Sequence, residues 1–117
     1  MSFDWKKFIE FAEELHQQKS EEAFRTAISR AYYSVFCTLR NLKGFEKYTK
    51  SDVHSKVIGT LRTSQDKDEQ WIGKTLDSLR KERNLADYNG EKLVDEETSQ
   101  RCILKAEEIF KYLGKYS

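Results

Sequence analysis

The chain has 117 residues, with 21 Lys and Arg against 20 Asp and Glu, and so carries a net charge of +1 at neutral pH. That length supports one hydrophobic core without disulfide or metal staples, and the near-balanced charge excludes bulk attraction to nucleic acid or membrane, leaving only local patches. No Pro, five Gly and 35% charged residues interleaved with apolar ones make the composition of a helical protein.

Five helices are expected. Helix 1 should run from about Asp4, a candidate N-cap, to Gln17, with Trp5, Phe8, Ala12 and Leu15 in its apolar stripe and Ile9 and Phe11 widening it. His16 falls off the stripe and reads as a solvated ring that stabilises the helix C-terminus. Helix 2 opens on a Ser20 cap with Glu21 and Glu22 in its first turn, and ends before Gly44. Phe24, Ile28, Ala31, Val35, Leu39 and Leu42 form its main stripe, Tyr32 and Phe36 widen one side, and Ala27 and Ser34 line the other. So little of its circumference is polar that it should be the most buried helix. Ala23, Ala27, Ala31, Ser34 and Thr38 would let a neighbouring helix approach closely, and Arg30 lies beside that small side with Tyr33 three residues on.

Helix 3 is expected from Ser51 or Asp52 to Arg62, with His54 inside an arc of Val53, Val57, Ile58 and Leu61. A histidine there reads first as a satisfied core residue. Asp66 followed by Glu69 resembles a capping box and starts helix 4, which ends near Asn89 and Gly90. Helix 5 begins near Asp95 and buries Cys102, Ala106, Ile109 and Leu113, with Tyr112 and Tyr116 on its flanks. The expected fold is all-α, an antiparallel helical bundle of four principal helices and one shorter one, forming a single domain over residues 1–117.

Several chemistries drop out at this point. The chain has no HExxH, no Cys-x-x-Cys and no Gly-rich phosphate loop, so no dedicated metal or cofactor site is expected. Cys37 and Cys102 sit inside helices without ligand spacing and read as buried small hydrophobes in a reducing cytoplasm. No apolar run approaches the ~20 residues of a membrane span, and nothing resembles a signal peptide.

The informative stretch is Ser78–Gly90, SLRKERNLADYNG. At about 100° per residue, Leu76, Leu79, Arg83 and Ala86 fall within about 40° of Ile72, so Arg83 occupies a core-facing position. A guanidinium stays charged and is costly to bury unpaired, and Asp87 at i+4 is its local partner. Arg30, Tyr33, His54, Arg83, Asn84, Asp87 and Tyr88 therefore form a candidate polar cluster. Two arginines with tyrosine and histidine suit a phosphate-bearing ligand, and the alternative is a polar network that fixes helix register.

Three segments, AISRAYYSVF (Ala27–Phe36), SDVHSKVIGTL (Ser51–Leu61) and RNLADYN (Arg83–Asn89), taken in this order and spacing, resemble the HEPN domain family, in particular its small stand-alone prokaryotic members. The resemblance spans about Trp5 to Tyr112. It implies a helical bundle, usually dimeric across the face bearing the polar cluster, and in many members a metal-independent endoribonuclease. The implied signature is an Arg, a polar residue, and a His with four to six residues between it and the Arg; Arg contacts the scissile phosphate and His assists proton transfer at the 2′-hydroxyl. The resemblance also implies a possible antitoxin partner, a small nucleotidyltransferase that modifies a tyrosine near the motif. Arg83 and Asn84 match the first half of that signature, whereas Tyr88, Asn89 and Gly90 stand where His would be.

The reading that follows is a cytoplasmic, homodimeric nucleotide- or RNA-binding module. Arg83 and Arg30 are the expected phosphate contacts, Asn84 and Asp87 orient them, and Tyr33, Tyr88 and His54 complete the pocket. The alternatives are an active endoribonuclease toxin using Arg83 with His54, and a structural partner-binding bundle.

Overall fold

The computed structural model describes residues 3–114. Five helices follow one another with no strand among the described residues: α1 (Lys7–His16), α2 (Glu21–Leu42), α3 (Val53–Arg62), α4 (Lys67–Tyr88) and α5 (Glu96–Tyr112). Two helices rather than one are short, because α1 starts a turn later than its apolar stripe suggests. Asp4 accepts from the Lys6 amide through Oδ1 (3.1 Å) and from the Lys7 amide through its carbonyl (3.0 Å), closing tight i→i+3 turns before the helix proper. The other expected starts are made as capped ends. Ser20 Oγ accepts from the Ala23 amide (3.3 Å), Asp66 Oδ1 from Asp68 (2.8 Å), and Asp95 Oδ1 from Thr98 (2.9 Å). The capping box at Asp66 is only half formed. Ser64 Oγ takes the Asp66 amide, which frees Glu69 to pair with Lys43 at the end of α2.

α2 is the axis of the bundle and packs against every other helix, while α3 lies mainly on α4. Ile28, Tyr32, Val35 and Leu39 of α2 meet Leu76 and Leu79 of α4 and Ile109 and Phe110 of α5 in one core. Gly73 sets the approach of α3 to α4: a Cβ there would lie 2.8 Å from the backbone nitrogen of Arg62 and 2.9 Å from Leu61 Cβ. Both cysteines are free and buried. Burial pushes the Cys102 thiol up to about 12 and raises that of Cys37, so neither is an available thiolate at neutral pH. No helix among the described residues is long and apolar enough to cross a membrane.

The expectation for His16 fails. His16 is buried rather than solvated: it packs against Phe24 and its Nδ1 lies 2.9 Å from Ser99 Oγ on α5. α1 ends where α5 begins, and the sequence pattern of α1 alone does not reveal that neighbour. The small-residue side of α2 does admit close neighbours: Ala27, Ala31 and Ser34 are fully buried within the chain's own bundle. Tyr112 is exposed and lies tilted against Trp71 with ring centres 4.6 Å apart, whereas Tyr116 lies outside the described residues.

Candidate functional site

α4 delivers Arg83 into the bundle because its position on the apolar stripe leaves no route outward. The residue is only 6% exposed. Its guanidinium carbon lies 5.2 Å from the ring centres of both Tyr32 and Tyr33 and 6.0 Å from that of Tyr88. These rings supply cation–π contact in place of hydration. The expected pairing with Asp87 is present but long, at 3.7 Å from Nη1 to Oδ2, and Arg83 Nε is buried without a hydrogen-bond partner.

Asp87 is shared. Ser29 donates to its Oδ2 at 3.3 Å, and Arg30 donates from Nη2 to Ser29 Oγ at 3.4 Å. One carboxylate is thus linked to two arginines, to Arg83 directly and to Arg30 through a hydroxyl. The Arg30 guanidinium rests over Phe8 of α1 (4.9 Å) and over Tyr33 (5.4 Å).

His54 joins from α3. Its ring stacks on Phe36 at 4.1 Å and meets Tyr33 edge-on at 6.1 Å, and its Nδ1 lies 2.6 Å from the Tyr32 hydroxyl. Burial, aided by the positive charges of Arg80 and Arg83, holds the imidazole pKa down to about 4, so the ring is neutral at physiological pH. The same burial raises the Tyr32 phenol, which keeps its proton. Tyr32 is fully buried and His54 is its hydroxyl's hydrogen-bond partner. If Nδ1–H were the donor, that phenolic proton would be left without an acceptor. The satisfied arrangement has Tyr32 O–H donating to Nδ1, which places the imidazole proton on Nε2. His54 then offers a donor and holds no free lone pair.

Arg30, Tyr33, His54, Arg83 and Asp87 are therefore brought together, Tyr88 reaches them from the rim through the Arg83 guanidinium, and Asn84 lines an adjoining groove. Tyr88 is 77% exposed and separates two shallow grooves, one lined by Glu21, Arg25 and Asp87 and the other by Lys81, Asn84 and Asn89.

Two arginines of this region were not picked out from sequence. Arg80 lies one turn before Arg83, its Nε is buried without a partner, and its charge acts on both Tyr32 and His54. Its three-residue spacing from Arg83 was the available signal. Arg25 looks like half of a surface i,i+4 pair with Glu21, but it caps the C-terminal end of α4. Its Nη1 donates to the carbonyls of Ala86 (2.9 Å) and Asn89 (3.0 Å), and its Nη2 to that of Lys92. Glu21 completes the clamp by accepting from the Val94 amide at 3.2 Å, and that bond with the Arg25 contact holds its carboxyl below the usual range. No local pattern in sequence points across the gap from α2 to residues 86–94.

Fold and cluster together define an all-α bundle domain with arginines inserted between aromatic rings on one side. The chain belongs to the HEPN domain family, whose model matches residues 5–116. An uncharacterized protein of Methanocaldococcus jannaschii is 31% identical to it over 126 aligned residues, covering 90% of this chain and 69% of that protein. No solved structure matches the chain at comparable stringency.

Proposed function

We propose that this HEPN domain is a nucleotide- or RNA-binding module that grips phosphate with Arg83 and Arg30. Asp87 orients both guanidiniums, Tyr33 and His54 line the pocket, and Asn84 and Tyr88 meet the outer part of the ligand. One observation carries the reading: Arg83 is more than nine-tenths buried, has an unpaired Nε, and has its carboxylate partner only at 3.7 Å. A purely structural arginine would leave that donor as an uncompensated cost, which an arriving phosphate oxygen removes. The neighbouring tyrosine faces suit base stacking.

Binding is better supported than cleavage. Attack by a 2′-hydroxyl requires a group that takes its proton, and His54 Nδ1 is already engaged by the Tyr32 hydroxyl. In this reading the domain works in the cytoplasm as a homodimer with the polar cluster near the interface. Its place is in a toxin–antitoxin or defence pair whose other member is a nucleotidyltransferase. The test is thermal unfolding with mononucleotides or a short RNA, without metal. A ligand at a hundredfold its Kd adds about 2.7 kcal/mol, which raises Tm by roughly 10 °C for a domain of this size. No shift with any nucleotide or RNA at millimolar concentration would leave the structural partner-binding role.

A further inference from the structure

Arg80 has no part in the signature that resembles the family's, yet it shares the unsatisfied state of Arg83. Both side chains have a buried Nε without a partner. Residues three apart on a helix have Cβ atoms about 5–6 Å from each other, so the two guanidiniums can reach one group. Among the described residues no carboxylate is ion-paired with Arg80 or Arg30, and Arg83 has Asp87 alone. Arg80 and Arg83 act on the neutral His54, and Arg30 joins Arg83 at the Tyr33 ring and at Asp87 through Ser29, so three guanidiniums and one carboxylate leave two positive charges uncompensated.

That excess discriminates between kinds of phosphate. A phosphodiester inside an RNA strand brings one negative charge, whereas a terminal phosphoryl group brings about 1.5–2 at pH 7. Only the second comes close to neutralising the cluster, and a residual charge beside the buried Arg83 is costly. The terminal group also exposes three equivalent oxygens, enough for two arginines and the Nε2–H of His54.

We propose that Arg80 and Arg83 together form a site for a terminal phosphoryl group, carried by a free nucleotide or by the phosphorylated end of an RNA, in preference to an internal phosphodiester. The inference rests on the nucleotide- or RNA-binding reading and adds to it a second anchoring arginine and a ligand class.

Titration calorimetry of the full chain with adenosine, adenosine 5′-monophosphate and the dinucleoside monophosphate ApA tests it. The monophosphate is expected to bind at least tenfold more tightly than ApA or adenosine. Its affinity should fall severalfold from pH 7.5 to 5.5, as the phosphoryl group loses its second charge near pH 6. The charged groups facing the site are Arg30, Arg80, Arg83 and Asp87, and His54, held neutral down to about pH 4, does not titrate in that window. Arg80→Gln should bring the monophosphate down to the affinity of ApA, and Arg80→Lys should retain part of the preference. Far-ultraviolet dichroism and a thermal melt would check that both variants fold.

Equal affinity for ApA and the monophosphate overturns the inference and leaves the binding reading intact, as does a preference unmoved by Arg80→Gln. Binding of an RNA hexamer irrespective of its 5′-phosphate, with no mononucleotide bound, has the same consequence. A hexamer bound only when 5′-phosphorylated identifies the RNA end as the source of the group, and tight mononucleotide binding identifies the free nucleotide. Failure of every ligand removes both readings.

Discussion

Arg83 allows a sharp test, because its environment makes opposite demands on stability and on binding. At 3.7 Å and an effective dielectric of about 20, attraction to Asp87 is worth roughly 4 kcal/mol gross. Against it stand the desolvation of a guanidinium whose side chain is 8% exposed and an unpaired Nε costing about 1–3 kcal/mol. Contact with the Tyr32 and Tyr33 rings returns roughly 0.5–2 kcal/mol each. The terms nearly cancel, so Arg83→Met, which keeps the packing and removes the charge, is expected within about 1 kcal/mol of wild type or more stable. Asp87→Ala should be worse, although it removes the more exposed partner, because it leaves Arg83 with rings alone. Asp87 is 26% exposed, so water can replace part of its role, and the loss should be about 2 kcal/mol rather than the 3–5 of a fully buried pair. Urea melts of the three proteins, with m held in common, give the order directly. If Arg83→Met cost more than Asp87→Ala, Arg83 would be a stabilising element and the case for a ligand-satisfied arginine would collapse.

Three other outcomes are expected. His54 has its folded pKa lowered to about 4, below the usual value of about 6.5, so the unfolded chain binds the extra proton and stability should fall as pH drops from about 6.5 towards 4. Discounted for a partly exposed ring, the loss should be about 1–2 kcal/mol, and His54→Phe, measured by urea melts at pH 7 and 5, should remove most of it. Arg25→Ala deletes the clamp on the α4 terminus. It should cost about 2–3 kcal/mol and speed hydrogen exchange at residues 89–94, whereas a change under about 0.5 kcal/mol would mean the carbonyls are satisfied by water. Gly73→Ala raises helix propensity but drives its Cβ to 2.8 Å from the Arg62 backbone, so thermal melts should show a net loss of about 1–3 kcal/mol; a gain would show that α3 moves freely off α4.

Helix positions, caps and the core-facing placement of Arg83 were legible in the chain itself, because they follow from local rules. Periodicity fixes which residues share a face, and Ser20, Asp66 and Asp95 announce their helix starts within three residues of the amides they receive. The Arg83–Asp87 pair was legible for the same reason, being one turn apart. Tertiary structure decided whatever depends on which helix comes alongside. It brought Ser99 to His16, turned the small side of α2 inward, and set Tyr32 against His54 so that the imidazole proton lies on Nε2. It also carried Arg25 from an apparent surface pair to the end of α4, more than sixty residues away, where it holds the turn that follows Tyr88. A period of 3.6 residues reports the direction a side chain points but not what waits there. The charge state and hydrogen bonds of this site come from what waits there.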